Sequence, residues 1–153
     1  MTNRTIYFYE PDDAYGFLSN FFIAPLTIDD RVWLTSEHYY QAQKFPSFSL
    51  QERIRHARSP DEAFQLSRQF ADEVDSKWMD VRCEVMRHVV EQKFTQHPAL
   101  RTSLLATNDA LLVEHSSVDA FWGDGAKGDG LNQLGLILMD VRLMLANNAR
   151  HVS

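Results

Sequence analysis

Cysteine is nearly missing from this sequence. One alone, Cys83, stands among 153 residues, which excludes an internal disulfide and a cysteine-rich zinc site and agrees with a reducing compartment. Long apolar runs are missing as well: nothing approaches the roughly 18 residues that suggest a membrane span. The opening Met-Thr-Asn-Arg-Thr carries no basic and apolar leader, so the expectation is a soluble cytoplasmic protein with no membrane partner. Positive charge is in deficit, with a formal net charge of -6. That excludes a broad basic surface for nucleic acid but leaves room for a small pocket that holds one phosphate. Glu114 and His115 pair with no second ligand at zinc-type spacing, and neither a metal nor another cofactor is expected. At 44% hydrophobic content the length suits one domain, 1–153, with one sizeable core.

What is present centres on Ser36-Glu37-His38-Tyr39-Tyr40-Gln41-Ala42-Gln43-Lys44-Phe45. Thr35 or Ser36 can cap a helix here, and Pro46 can stop it. Glu37, Tyr40, Gln41 and Lys44 fall at i, i+3, i+4 and i+7, so a carboxylate, a phenol, an amide and an amine share one side. The face is either a ligand site or simply solvated. Before it, Thr5 to Tyr9 reads as a strand and Leu26 to Trp33 as a hairpin. Between them Tyr15 to Phe22 concentrates aromatic rings around Ser19-Asn20. The Phe residues suit a core edge, whereas the Asn20 amide has the fixed donors and acceptors that orient a heterocycle or sugar.

Helical pattern follows from Leu50 to Ala57 and, capped by Ser59-Pro60, on to Phe70. The longest periodic stretch, Ser76 to Gln96, is apolar over more than half its circumference, with Arg82 and Lys93 inside the apolar arc. Each either snorkels or meets an anion. Trp78 is a core anchor or a stacking platform for a base. A short helix from Pro98 and a strand near Ala110 to His115 precede a loop, Asp119 to Gly135, that holds all but one of the six glycines. Gly123, Gly125 and Gly128 match the letters of a dinucleotide fingerprint, but the remaining βαβ unit is missing and that reading fails. Trp122, Asp124 and Asn132 set among the glycines point to a ligand loop feeding the amino end of a final helix. That helix, Leu131 to Ala146, reads as apolar almost all round, with Arg142 its odd polar member.

Leu18-Ser19-Asn20-Phe21, the Ser36–Phe45 stretch, Lys93-Phe94, Leu112-Val113-Glu114-His115 and Phe121-Trp122-Gly123-Asp124-Gly125 with Asn132 to Gly135 together resemble the NADAR, or YbiA-like, family. The resemblance implies a mainly α fold with a small antiparallel β-sheet (α+β). It further implies an N-glycosidase that cleaves the ribosyl C–N bond of phosphorylated amino-pyrimidine intermediates of riboflavin biosynthesis and releases ribose 5-phosphate. Other family members act on ADP-ribosylated guanine. By the same resemblance Glu37 takes the acidic catalytic position, Lys44 that of the lysine proposed to attack the sugar in the ADP-ribose branch of the family, and Asp124 a place in the site loop. Trp78 and Trp122 take aromatic pocket positions. Asn20, Tyr40, Gln41, Arg82, Lys93, Gly123, Gly125 and Asn132 complete the expected substrate-binding set. Ala126-Lys127 departs from the pattern at the phosphate end. The competing classes are a module that binds ADP-ribose or a nucleotide without turnover, and a structural interaction domain.

Overall fold

A computed structural model describes residues 4–152. In chain order the elements are β1 (Thr5–Phe8), β2 (Leu26–Ile28), β3 (Arg31–Trp33), α1 (Ser36–Ala42), α2 (Phe48–Arg55), α3 (Pro60–Gln69), α4 (Trp78–Gln96), α5 (Pro98–Leu105), β4 (Leu111–Glu114) and α6 (Gln133–Val152). The class is α+β, and the chain divides into two units. One runs from Asn20 to Lys93; the other takes the chain up to Ser19 and again from Phe94.

In the continuous unit, β2 and β3 form the antiparallel hairpin that the sequence suggests, in register Leu26↔Trp33. Asp29 and Asp30 both adopt left-handed backbone, at φ 55° and 62°, the geometry whose twist matches paired strands. Leu26, Ile28 and Trp33 are buried while Thr27 and Val32 face solvent. Thr35, not Ser36, caps α1, its Oγ1 accepting the His38 amide at 3.1 Å. The helix ends at Ala42, earlier than expected. Lys44 and Phe45 continue in tighter turns, Lys44 N to Gln41 O at 3.3 Å and Phe45 N to Ala42 O at 3.2 Å, so Lys44 stays close to its helical position. Ser47 caps α2, which starts at Phe48, two residues before the expected Leu50. Ser59 caps α3, with Pro60 at the first helical position.

Every residue of α1 is buried, polar ones included. His38 is fully enclosed, with Nε2 donating to the Ala57 carbonyl at 3.0 Å and Nδ1 2.8 Å from Thr35 Oγ1. A carbonyl only accepts, so the proton sits on Nε2 and Thr35 donates to Nδ1. Both ring nitrogens are thereby satisfied in the neutral state.

The second unit is held by β1 against β4 in parallel, from Thr5↔Leu111 to Phe8↔Glu114. No local signal foretells a pairing across so much chain. Leu134, Ile137, Leu138, Val141 and Leu145 of α6 are buried, at the three- and four-residue spacing of one helix face. Leu136 and Leu143 on the other side are 47% and 61% exposed. The final helix is therefore one-sided, which corrects the expectation of an all-round apolar element. Arg142 is buried and donates to Thr107 Oγ1 at 2.8 Å, an internal tie. At Gly135 the backbone presses so near β4 that a Cβ would collide with the Leu112 carbonyl oxygen.

Burial lowers the His38 pKa from its ordinary 6.5, against the opposing pull of its bond to Ala57. Between those two values the unfolded chain binds the proton and the folded one refuses it, so stability falls as pH drops below 6.5. Urea unfolding followed from pH 8 to 5 should show this decline. A His38→Asn variant, which does not titrate, should show a shallower one.

Candidate active site

The polar face of α1 is assembled inside the protein. Glu37 and Gln41 are 6% and 4% exposed, and Gln41 Nε2 donates to Glu37 Oε2 at 2.9 Å. This overturns the solvated-face alternative. A buried carboxylate held by an amide is fixed in orientation, where solvent screening is weak. Tyr40 meets Trp78 edge to face, ring centroids 5.1 Å apart, and the Lys44 ammonium lies 5.8 Å from the Tyr40 ring. The start of α4 is tied to the end of α1 by Asp75 N donating to Lys44 O at 2.8 Å. Through that tie, residues from two helices reach one place.

Burial pulls the Lys44 pKa down; Glu37 opposes this, and Arg68 and Arg82 push it further down. The result favours a larger neutral, nucleophilic fraction of the amine than an exposed lysine has. Arg82 follows Trp78 by one turn on α4, as its spacing implied. Arg68, near the end of α3, was not among the expected residues: it is an exposed arginine on an ordinary packing helix, and no motif distinguishes it.

Asn20 has a structural duty that the sequence did not disclose. Its Oδ1 accepts from Ser36 Oγ at 2.8 Å, its backbone carbonyl from Glu37 N at 3.1 Å, and its Nδ2 donates to Met86 Sδ at 3.3 Å. It braces the amino end of α1 and so fixes Glu37. Lys93 does not snorkel. It is 1% exposed, its ammonium 5.7 Å from the Phe22 ring.

The remaining expected residues belong to the other unit. Asp124 is buried and has both oxygens engaged, Oδ1 accepting Ser116 N at 3.0 Å and Oδ2 lying 2.8 Å from His115 Nδ1. His115, considered in the sequence only for metal spacing, is thus the partner of the loop carboxylate. Trp122 is half-buried and packs edge to face on Phe121 at 4.8 Å. The Asn132 amide is spent internally, Oδ1 on Glu114 N at 3.0 Å and Nδ2 on Leu112 O at 2.9 Å. Gly125 adopts φ 72°, and a Cβ on Gly123 would press on the Glu114 carbonyl. At the start of α6, Gln133 N and Leu134 N already bond Phe121 O and Trp122 O, at 3.0 and 3.1 Å. The loop is a hydrogen-bonded scaffold, and these two helix-start amides are not available to an anion.

A cavity of about 550 Å³ lined by Thr95, Arg101, Leu105, Met144, Leu145, Asn148 and Ala149 includes none of the candidate residues. The chemistry points to α1 instead. Among the described residues no group of three or more His, Cys, Asp or Glu is placed to hold a metal, and no helix is long and apolar enough to cross a membrane.

Complete burial brings the Lys93 pKa from 10.5 to about 7. Between those values the unfolded chain holds a proton that the folded chain has released, so stability rises as pH climbs from about 7 towards 10. Chemical unfolding across that range should show the rise. Lys93→Met should flatten it; an unchanged slope in the variant would assign the effect to another group.

The NADAR domain model matches residues 7–146. Over 146 residues the chain is 45% identical to the N-glycosidase YbiA of Escherichia coli, covering 95% of this chain and 91% of that protein. It is 44% identical to an N-glycosidase of Nostoc punctiforme, with 94% of each covered. A riboflavin biosynthesis protein of Vibrio vulnificus is 51% identical over 95% of this chain, which spans only 40% of that longer protein. The NMR structure of E. coli YbiA superposes with a TM-score of 0.90 at 44% identity, covering 97% of this chain and 89% of the other. A family model spanning nearly the whole chain and relatives of matching length leave one conclusion: this chain belongs to the NADAR family.

Proposed function

We infer that this chain, an N-glycosidase like its relatives, acts as one domain on phosphorylated ribosylamino-pyrimidine intermediates of riboflavin biosynthesis and releases ribose 5-phosphate. The observation that carries the reading is the buried Glu37 carboxylate, clamped by Gln41, with the Lys44 amine and the Tyr40–Trp78 pair on the same side. In the reaction the C1′–N bond breaks and its electron pair goes to nitrogen. Water supplies hydroxide to C1′ and a proton to the leaving amine, so a ribosylamine plus water gives ribose and a free amine.

Positive charge grows on the sugar as that bond lengthens. A fixed carboxylate stabilises it without reorganising, or takes the proton from attacking water. Glu37 is suited to both because Asn20 and Gln41 hold it before substrate arrives. Trp78 and Tyr40 offer ring faces and edges to the heterocycle, and Arg82 offers positive charge for the phosphate. Lys44 supports a second route, in which the ribose ring opens and the amine adds to the aldehyde form as an imine. Asp124 is assigned to bracing His115 and the glycine loop, and Asn132 and the glycines to shaping it.

Glu37→Gln keeps the volume and removes the charge. It should fold normally and lose about 10²–10⁴ in turnover, read as free ribose 5-phosphate. Near-normal hydrolysis by the folded variant would remove Glu37 from the reaction. Trp78→Ala should weaken substrate binding by about 1–3 kcal/mol, measured by calorimetry on the Glu37→Gln background. The routes separate at Lys44: borohydride added during turnover should leave a stable adduct on this residue, and Lys44→Arg should be nearly inactive. An active Lys44→Arg enzyme with no wild-type adduct would leave direct hydrolysis alone.

A further inference from the structure

Gln41 is only half used by its own fold. Its Nε2 donates to Glu37, and a carboxylate offers only acceptors, which fixes the way the amide faces. Oε1 is therefore turned away from Glu37, and among the described residues it is a buried acceptor with no donor. An unmatched buried carbonyl destabilises more than one hydrogen bond stabilises. An apolar side chain of similar length would avoid that cost. The orphan oxygen belongs to the helix face that carries Glu37 and Lys44, so the donor it lacks is one that a substrate can bring.

We propose that Gln41 Oε1 accepts the N–H of an exocyclic glycosidic nitrogen, so that the site selects ribosylamino-heterocycles over nucleosides joined through a ring nitrogen. This rests on the N-glycosidase reading of the Glu37 site. In a ribosylamino compound the nitrogen of the bond to be broken is a secondary amine and carries a hydrogen; in a ring-linked nucleoside it carries none. When C1′–N breaks, that nitrogen receives a proton and becomes a primary amine. Its N–H groups are better donors while the proton is arriving, so the bond to Oε1 strengthens towards the transition state and contributes to rate as well as binding. One amide thereby spans both partners of the reaction: Nε2 steadies the carboxylate that faces the sugar, and Oε1 holds the nitrogen that leaves.

The test uses a ribosylamino-pyrimidine phosphate and its analogue methylated on the glycosidic nitrogen. Wild type should favour the N–H compound in kcat/KM, and Gln41→Met should lower that preference by about tenfold or more, the range of one buried hydrogen bond. Gln41→Glu keeps an acceptor oxygen at the same reach; it should retain the preference although its overall rate falls. Equal preference in all three proteins would overturn the proposal and leave Gln41 a structural support for Glu37. Calorimetric binding of the free amine product and its N,N-dimethyl form, which has no N–H left, reads the same selectivity without turnover. Absent hydrolysis with selective amine binding would sink the glycosidase reading alone, and non-selective amine binding would sink this one.

Discussion

Burying a helix that carries a serine, a glutamate, a histidine and a glutamine obliges each polar group to find a partner, and the Asn20–Lys93 unit is built around meeting that demand. Thr35 caps the helix and simultaneously satisfies His38. Ala57, just beyond α2, supplies the other imidazole partner, and Asn20 receives both Ser36 and the Glu37 amide. An unmatched group in such a place costs about 1–3 kcal/mol, so these positions do not tolerate loose alternatives. The same enclosure that makes the helix demanding to fold leaves Glu37 only slightly exposed, where electrostatic interactions are screened less than in water.

Not all of these bonds serve one end. Both ring nitrogens of His38 are bonded within the fold, and Asn20 is engaged through its Oδ1, Nδ2 and backbone carbonyl, as structural polar groups should be. Glu37 and Gln41 form a pair whose outer atom remains open, and Lys44 is an amine held among charges of both signs. Preorganisation and incompleteness therefore occur within two turns of one helix. Rigid support sits towards its amino end, and reactive groups lie along the face that follows.

Periodicity read from the sequence located α1, grouped Glu37, Tyr40, Gln41 and Lys44 on one face, and placed Ser59-Pro60 at a helix start; all three hold in the fold. It could not say what covers that face, because periodicity reports which side chains share a side and not what they meet. The same limit explains Asn20, whose amide was expected to orient a ligand and instead ties the helix to the preceding loop. The glycine-rich segment from Asp119 to Gly135 reads from sequence as a ligand loop feeding the final helix. At Gly135 the glycine permits close approach of α6 to β4, and the Asn132 amide stitches the same junction. Arg68 had no local signal at all, since its relevance comes from where α3 packs.

The parallel pairing of β1 with β4 also has a consequence for the order in which the protein can form. Thr5 must wait for Leu111, so its strand leaves the ribosome long before its partner is made. The stretch from Asn20 to Lys93 has the β2–β3 ladder and the caps of α1, α2 and α3 within itself, and it can organise during synthesis. Long-range pairings of the other kind close late because loop entropy must be overcome first. Helix α1 is thus positioned to be among the earlier parts to settle, while the strand at the head of the chain is among the last to find its place.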